Sequence, residues 1–202
     1  FFLYLSHKAV HSDAVPAPRH RGQYRDTQFE LPETVAVTDD YIEGKPMWVK
    51  NQRNSWHGID FFYASDRKMT DYLRDYYGAL SSVDDSMGRL RAVLEGLNLT
   101  DDTVIVFYSD NGFLTGDHGL IDKRNAYEAS VKVPMIVYAP NDAKGGSTNK
   151  TRIRNLDLAP TFLDIAGIQK PKQFEGKSAW PLITGEQDRG SWGEPDFLYQ
   201  YY

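Results

Sequence analysis

Asp110 and Asn111 are the residues of this sequence whose types and position best suit a metal site. They follow residues 103–108, a β-branched and aromatic run without polar alternation that predicts a strand buried on both faces. Ligands of open α/β sheets bind outside the carboxyl ends of the strands, where this pair lies. A carboxylate and an amide offer oxygen ligands, which suit Ca²⁺ or Mg²⁺ better than zinc. With Gly112, the same residues are also typical of an ordinary Asx turn.

Three basic side chains could face the same edge of a sheet. Residues 1–6 predict a second buried strand, and His7 and His11 lie in the segment that leaves its carboxyl end. Lys123 follows the central strand, and its compact charge could contact anionic oxygens. Isolated histidines and lysines are more often plain surface residues, so these positions alone leave a functional role open.

The clearest element that would position these residues is a helix over residues 69–97. Asp84 and Asp85 flank its apolar face and are expected to be solvated or helix-pairing charges rather than catalytic acids. The apolar side chains recur at steps of three and four, which places them on one face. They are Leu73, Tyr76, Leu80, Val83, Met87, Leu90, Leu94 and Leu97. A helix that returns the chain to a buried strand is half of a right-handed crossover unit.

Two further elements complete the predicted fold. Residues 134–138 indicate a short buried strand, and residues 157–166 indicate a helix with Gly167 at its left-handed C-terminal cap. We therefore predict an α/β fold with a mostly parallel sheet flanked by helices. Residues 1–167 would form the main domain, and residues 168–202 would begin a small C-terminal extension.

Composition limits the class of protein. The chain has 202 residues, of which 41% are hydrophobic and 25% are charged, as in ordinary soluble globular domains. A net charge of -5 argues against a nucleic-acid partner, and no apolar stretch is long enough to predict a transmembrane segment. The absence of cysteine excludes a disulfide, a thiolate metal site and a cysteine nucleophile within this chain. Apolar residues at both ends suggest a fragment truncated at each terminus.

Several blocks of the sequence resemble the C-terminal half of the catalytic domain of type I sulfatases, which belong to the alkaline-phosphatase-like superfamily. The order and spacing of these blocks carry the resemblance, and they extend over nearly the whole chain. They are Ser109-Asp110-Asn111-Gly112, residues 116–120, Lys123 with Tyr127-Glu128, residues 131–134, 1–7 with His11, 80–90, 155–161 and 174–178. Residues 51–58 and 121–124 look most like bacterial enzymes of the N-acetylglucosamine-6-sulfatase group.

The resemblance implies roles for five residues. Asp110 and Asn111 would ligate one Ca²⁺, with Mg²⁺ as the alternative ion. Lys123 and His11 would hold the sulfate and help to protonate the departing alcohol. His57, beside Trp56 in the long segment of residues 12–70, would contact the substrate beyond the sulfate. His118, Tyr127 and Glu128 would support the loop around Lys123 without a chemical role.

The family nucleophile is not encoded in this chain. Type I sulfatases use a formylglycine made from Cys or Ser in a Cys/Ser-X-Pro-X-Arg motif, which these 202 residues lack. The motif and two further aspartate ligands are expected upstream of Phe1, so the fragment alone is predicted to be inactive. The implied substrate is a sulfated sugar or glycosaminoglycan, and the implied location is periplasmic, secreted or lysosomal. Two alternatives are a phosphate or phosphonate ester hydrolase of the same superfamily and a non-catalytic glycan-binding relative.

Overall fold

The structure is a computed structural model that describes residues 1–36, 43–51, 65–193, 196 and 198–200. The chain forms two compact units. The first contains Phe1–Asn98 and Asn111–Lys132, and the second contains Leu99–Asp110 and Val133–Tyr202. Residues on both sides of Gly167 belong to the second unit, and a domain boundary at Gly167 stays a prediction.

The described chain contains helices, short strands and 3₁₀ turns. The helices are α1 (Met47–Asn51), α2 (Met69–Gly96), α3 (Glu128–Val131), α4 (Asn155–Ile165), α5 (Trp180–Thr184) and α6 (Arg189–Trp192). The strands are β1 (Ile105–Phe107), β2 (Leu114–Thr115), β3 (Ile121–Asp122) and β4 (Ile136–Tyr138). Short 3₁₀ turns cover Pro18–His20, Glu33–Val35 and Asp117–Gly119. None of the helices in the described ranges is long and apolar enough to cross a membrane.

Helix α2 organises the first unit and confirms the helix predicted from the apolar spacing. Leu73, Val83 and Leu94 of the predicted face are buried, whereas Leu80 and Leu97 are exposed. An apolar stripe with a period below 3.6 residues drifts around a straight helix, so a long stripe leaves the covered face. Tyr72, outside that stripe, is fully buried in a cluster with Ala14 and Ile121.

The observed strand pairing differs from the predicted parallel sheet. Both pairs in the described chain are antiparallel, with Ile105 opposite Tyr138 in β1 and β4, and Leu114 opposite Asp122 in β2 and β3. Strand β1 is half-buried rather than buried on both faces. Apolar periodicity reports how much of a strand is buried, but the direction of its partner depends on residues far away in the sequence.

The predicted N-terminal strand is wrong. Residues 1–6 adopt no strand, and Phe1 and Tyr4 are 90% and 79% exposed. Apolar side chains favour burial, yet a strand also needs a neighbour whose backbone can complete the hydrogen-bond ladder. The apolar composition of this segment therefore did not suffice to make it a strand.

Helix α4 confirms the second predicted helix and its cap. Asp157, which is fully buried, accepts a hydrogen bond from the Arg154 backbone N–H at 2.8 Å at the start of the helix. Gly167 has φ +67, and the Ile168 N–H donates to the Leu163 carbonyl at 2.8 Å. This is the left-handed glycine cap expected from the sequence.

Candidate active site

Asp110 and Asn111 are consecutive in the chain, but each belongs to a different compact unit. Asp110 is exposed just after β1, and Asn111 is half-buried, with its Nδ2 donating to the Gly112 carbonyl at 2.7 Å. An exposed carboxylate at a strand end fits one ligand of a hard cation, but two side chains are too few for the six to eight oxygens that Ca²⁺ takes. Within the described ranges, no group of three or more His, Asp or Glu side chains could hold a metal ion. The calcium site therefore stays a prediction.

The backbone of Asp110 is anchored to the first residue of α4. The Asn155 Nδ2 donates to the Asp110 carbonyl at 2.9 Å, and the Tyr108 hydroxyl donates to the Asn155 Oδ1. Burial raises the pKa of Tyr108, and the negative charges of Asp110 and Asp157 raise it further. The phenol consequently keeps its proton at neutral pH and remains a donor.

Gly112 allows a close approach of two backbone segments. Its N–H donates to the Ser130 carbonyl at 2.8 Å, and a Cβ at this position would lie 2.0 Å from the Ala129 carbonyl oxygen. Gly112 is not among the glycines with positive φ. The sequence predicted a glycine that permits a sharp turn, whereas the structure requires it because no side chain fits against α3.

Lys123 directly follows the β2–β3 hairpin and is half-buried. The turn of the hairpin is closed by the Gly116 N–H, which donates to the Leu120 carbonyl at 2.9 Å. Asp122 and Arg124 flank Lys123 in the sequence. The Arg124 guanidinium donates to the buried carboxylate of Asp122 at 2.7 Å. This ion pair neutralises the buried Asp122 charge and leaves Lys123 as the neighbouring cation of the loop.

An aromatic contact closes the segment that contains Lys123. The His118 and Tyr127 rings stack with centroids 3.8 Å apart, and the His118 backbone N–H donates to the Thr34 hydroxyl at 2.9 Å. Burial lowers the pKa of His118, and the nearby Lys45 ammonium lowers it further, so the imidazole is neutral at neutral pH. The two rings line a groove of about 370 Å³ with Asp117, Glu128, Ala129 and Lys132. The sequence indicated support for this loop but not the groove.

His11 lies in an exposed turn of the first unit. Its N–H donates to the Lys8 carbonyl at 2.9 Å, and its own carbonyl accepts from the Ala14 N–H at 3.0 Å. His7, the other candidate of this segment, is instead hydrogen-bonded through Nε2 to the Ser86 hydroxyl at 3.0 Å. The first unit therefore contains His11, Asn111 and Lys123, whereas Asp110 belongs to the second. The predicted substrate contact His57 and its neighbour Trp56 lie outside the described residues.

Comparison with known proteins identifies sulfatases as relatives of this chain. A family model described as N-sulphoglucosamine sulphohydrolase, C-terminal, matches residues 116–202. The N-acetylglucosamine-6-O-sulfatase of Bacteroides thetaiotaomicron is 31% identical over an alignment that covers 100% of this chain and 45% of the relative. The human N-acetylglucosamine-6-sulfatase is also 31% identical, with 100% of this chain and 35% of the relative covered. Along its whole length, the chain is similar to these sulfatases.

Solved structures show a similar fold. A protein in complex with its substrate D-glucosamine-2-N,6-O-disulfate aligns with a TM-score of 0.69 and 30% identity, covering 89% of this chain and 47% of that protein. The phosphonate monoester hydrolase of Silicibacter pomeroyi aligns with a TM-score of 0.74 and 29% identity, covering 86% of this chain and 35% of that protein. This chain thus spans less than half the length of these relatives.

Proposed function

We propose that this chain is part of a sulfuric ester hydrolase that removes sulfate from a sulfated sugar. The observation that carries the proposal is the position of Lys123, which directly follows a β-hairpin in a segment whose two ends are joined by the stacked rings of His118 and Tyr127. A lysine restrained in this way can present its charge to anionic oxygens with little reorganisation. Sulfatase relatives over the whole chain support sulfate as the anion.

The proposed site residues have the following tasks. Lys123 and His11 hold the sulfate and help to protonate the departing alcohol, and the Lys123 charge stabilises the sulfate oxygens and the leaving oxygen. Asp110 and Asn111 hold a Ca²⁺, with Mg²⁺ as the alternative, which polarises the sulfate oxygens when bound. His57 contacts the sugar. The nucleophile is a formylglycine from a part of the protein outside these 202 residues, so the chain by itself does not turn over substrate.

The named activities of the relatives favour a 6-sulfated glucosamine as substrate. A phosphonate monoester is the second candidate because the Silicibacter hydrolase shares the fold. Asn111 favours the sulfatase, since an amide oxygen suits calcium, whereas hydrolases of phosphonates often have a histidine there that suits transition metals. We also propose an extracytoplasmic location, following the family resemblance.

The test is sulfate release from N-acetylglucosamine-6-sulfate by the full-length protein and two lysine variants. Lys123→Ala should lower kcat/KM by ~100-fold or more, because it removes a preorganised charge from the transition state. Lys150→Ala removes an equal charge from an exposed loop and should leave kcat/KM unchanged. Hydrolysis of a phosphonate monoester without sulfate release would replace this proposal by the second candidate. Binding of the sulfated sugar without hydrolysis would indicate a non-catalytic relative.

A further inference from the structure

We propose that Asp85 of α2 is a positioning residue for His11. The side chain of Asp85 and three serines of the same helix fasten the segment of residues 7–24, which carries His11, to the surface of α2. This inference deepens the proposed function, because it rests on the role given there to His11. Asp85 itself would contact neither the sulfate nor the sugar.

The fastening contacts lie on both sides of His11 in the sequence. Before it, the His7 Nε2 is 3.0 Å from the Ser86 hydroxyl. After it, the Ala17 N–H donates to the Ser82 hydroxyl at 3.1 Å. Ser82 and Ser86 are one helical turn apart and therefore lie on the same face of α2. The exposed turn at His11 therefore lies between two residues that are both hydrogen-bonded to α2.

The serine hydroxyls have defined directions. The Ser82 hydroxyl donates to the Gly78 carbonyl at 3.0 Å, so it can act as the acceptor for the Ala17 N–H. The Ser81 hydroxyl donates to the Tyr77 carbonyl at 3.0 Å and accepts from the Tyr24 hydroxyl at 3.0 Å. Each hydroxyl therefore donates to a carbonyl of α2 and also accepts a hydrogen bond from the segment of residues 7–24.

Asp85 is the charged member of this row. Its Oδ2 accepts from the Arg19 guanidinium and lies 2.8 Å from the His20 Nε2. The other His20 ring nitrogen, Nδ1, is 2.6 Å from the Gln23 Oε1, so the imidazole is held from both sides. The hydrogen bonds from His20 and Arg19 lower the pKa of Asp85, which keeps its carboxylate ionised at neutral pH.

The same segment also contacts the core beside Lys123. Ala14, which is 1% exposed, belongs to one buried cluster with Tyr72 of α2 and Ile121 of β3. Ile121 lies two residues before Lys123 in the sequence. A shift of the segment on α2 would therefore move His11 relative to the strand that leads to Lys123.

Energetics separate positioning from simple stabilisation. The side chains of Asp85 and Arg19 are 36% and 52% exposed, and exposed ion pairs contribute little to the free energy of unfolding. Loss of Asp85 should therefore barely lower stability, while it frees one side of the His11 segment. A group that binds sulfate from a looser segment binds it more weakly, which raises KM.

The kinetic experiment compares Asp85→Ala with Asp84→Ala in the full-length protein, using sulfate release from N-acetylglucosamine-6-sulfate. Asp84 is exposed and adjacent on the same helix, so its replacement removes the same charge. We expect Asp85→Ala to raise KM by ~5-fold or more with a small change in Tm, and Asp84→Ala to match the unmodified protein. A lower kcat with unchanged KM would instead indicate loss of folded protein and would overturn the proposal.

A double-mutant cycle shows whether Asp85 acts through His11. In a His11→Ala background, Asp85→Ala should cause no further loss of kcat/KM, because the positioned group is already absent. Additive losses would overturn the proposal. Asp85→Glu keeps the carboxylate, so its KM should lie between the KM of the unmodified protein and that of Asp85→Ala.

Amide hydrogen exchange of residues 8–16 tests the positioning without substrate. Asp85→Ala should accelerate this exchange by ~5-fold, and Asp84→Ala should not. Accelerated exchange in a protein that releases no sulfate would refute the proposed function alone. Unchanged exchange in an active protein would refute the positioning role alone.

Discussion

The imidazole ring of His118 stacks on the phenol ring of Tyr127, with the ring planes inclined by 24°. His118 lies before β3 and Tyr127 lies directly before α3, so the contact joins the two ends of the segment that carries Lys123. The Lys45 ammonium lies 6.0 Å from the centroid of the same Tyr127 ring. A loop held at both ends loses little conformational entropy when it binds an anion.

Removal of the Tyr127 ring should impair the Lys123 loop. Tyr127→Ala is expected to lower kcat/KM for sulfate release by about 5-fold, because an aromatic pair of this kind contributes about 1 kcal/mol. Tyr127→Phe keeps the stacked ring and serves as the matched control, with kcat/KM near that of the unmodified protein. If Tyr127→Phe lost as much activity as Tyr127→Ala, the hydroxyl rather than the stack would be the important group.

Protonation of His118 should weaken the folded state. Burial and Lys45 lower the pKa of His118 in the folded protein, so the unfolded chain binds this proton more readily. The stabilisation is fully present above the ordinary histidine pKa of about 6.5 and decreases as the pH falls through that value toward the lower folded pKa. Urea unfolding at a series of pH values measures this slope.

His118→Asn is the suitable variant for this titration. Asn tolerates the left-handed backbone at this position, where φ is 57, and it does not titrate. The variant should show a shallower loss of stability than the unmodified protein between about pH 7.5 and about pH 5.5, roughly one unit above and below the ordinary histidine pKa. Equal slopes for the two proteins would contradict the assigned direction of the shift.

A methyl group at Gly112 should disrupt the contact with α3. The added Cβ would meet the Ala129 carbonyl oxygen at 2.0 Å, and a backbone atom cannot move aside as a flexible side chain can. Gly112→Ala is expected to lower the free energy of unfolding by about 3 kcal/mol. Gly145→Ala is the control, because nothing lies within 4 Å of its added Cβ. Urea unfolding of both variants measures the difference, and similar values would contradict the close approach.

Asp157 should be sensitive to loss of its second carboxylate oxygen. Its Oδ2 accepts from the Arg154 backbone N–H at 2.8 Å, and its Oδ1 accepts from the Lys177 backbone N–H at 3.0 Å. Asp157→Asn replaces one acceptor with a donor that faces an N–H, which should cost about 2 kcal/mol of stability. Asp142→Asn, in an exposed loop, makes the same chemical change and should have no effect in thermal unfolding. Equal melting temperatures of the two variants would refute the buried role.

Much of the local structure was predictable because its determinants lie close together in the sequence. The apolar spacing of α2 and the Gly167 cap of α4 involve residues within a few positions of each other. The polar residues after β1 likewise identified Asp110 and Asn111 as candidates, and the ordered blocks around Lys123 indicated the resemblance to sulfatases. Backbone periodicity and short motifs are sufficient for these features.

Contacts between distant residues could be decided only by the tertiary structure. Asp85 was expected to be a solvated or helix-pairing charge, but it pairs with Arg19 and His20, which lie outside its helix. The apolar residues 1–6 remained exposed, and β1 paired antiparallel with β4. Sequence by itself determined where helices form, where the polar candidates lie and which family the chain resembles. Strand direction, side-chain pairing and the close approach at Gly112 depend on segments that meet only in the folded chain. Local sequence patterns therefore do not predict these three features.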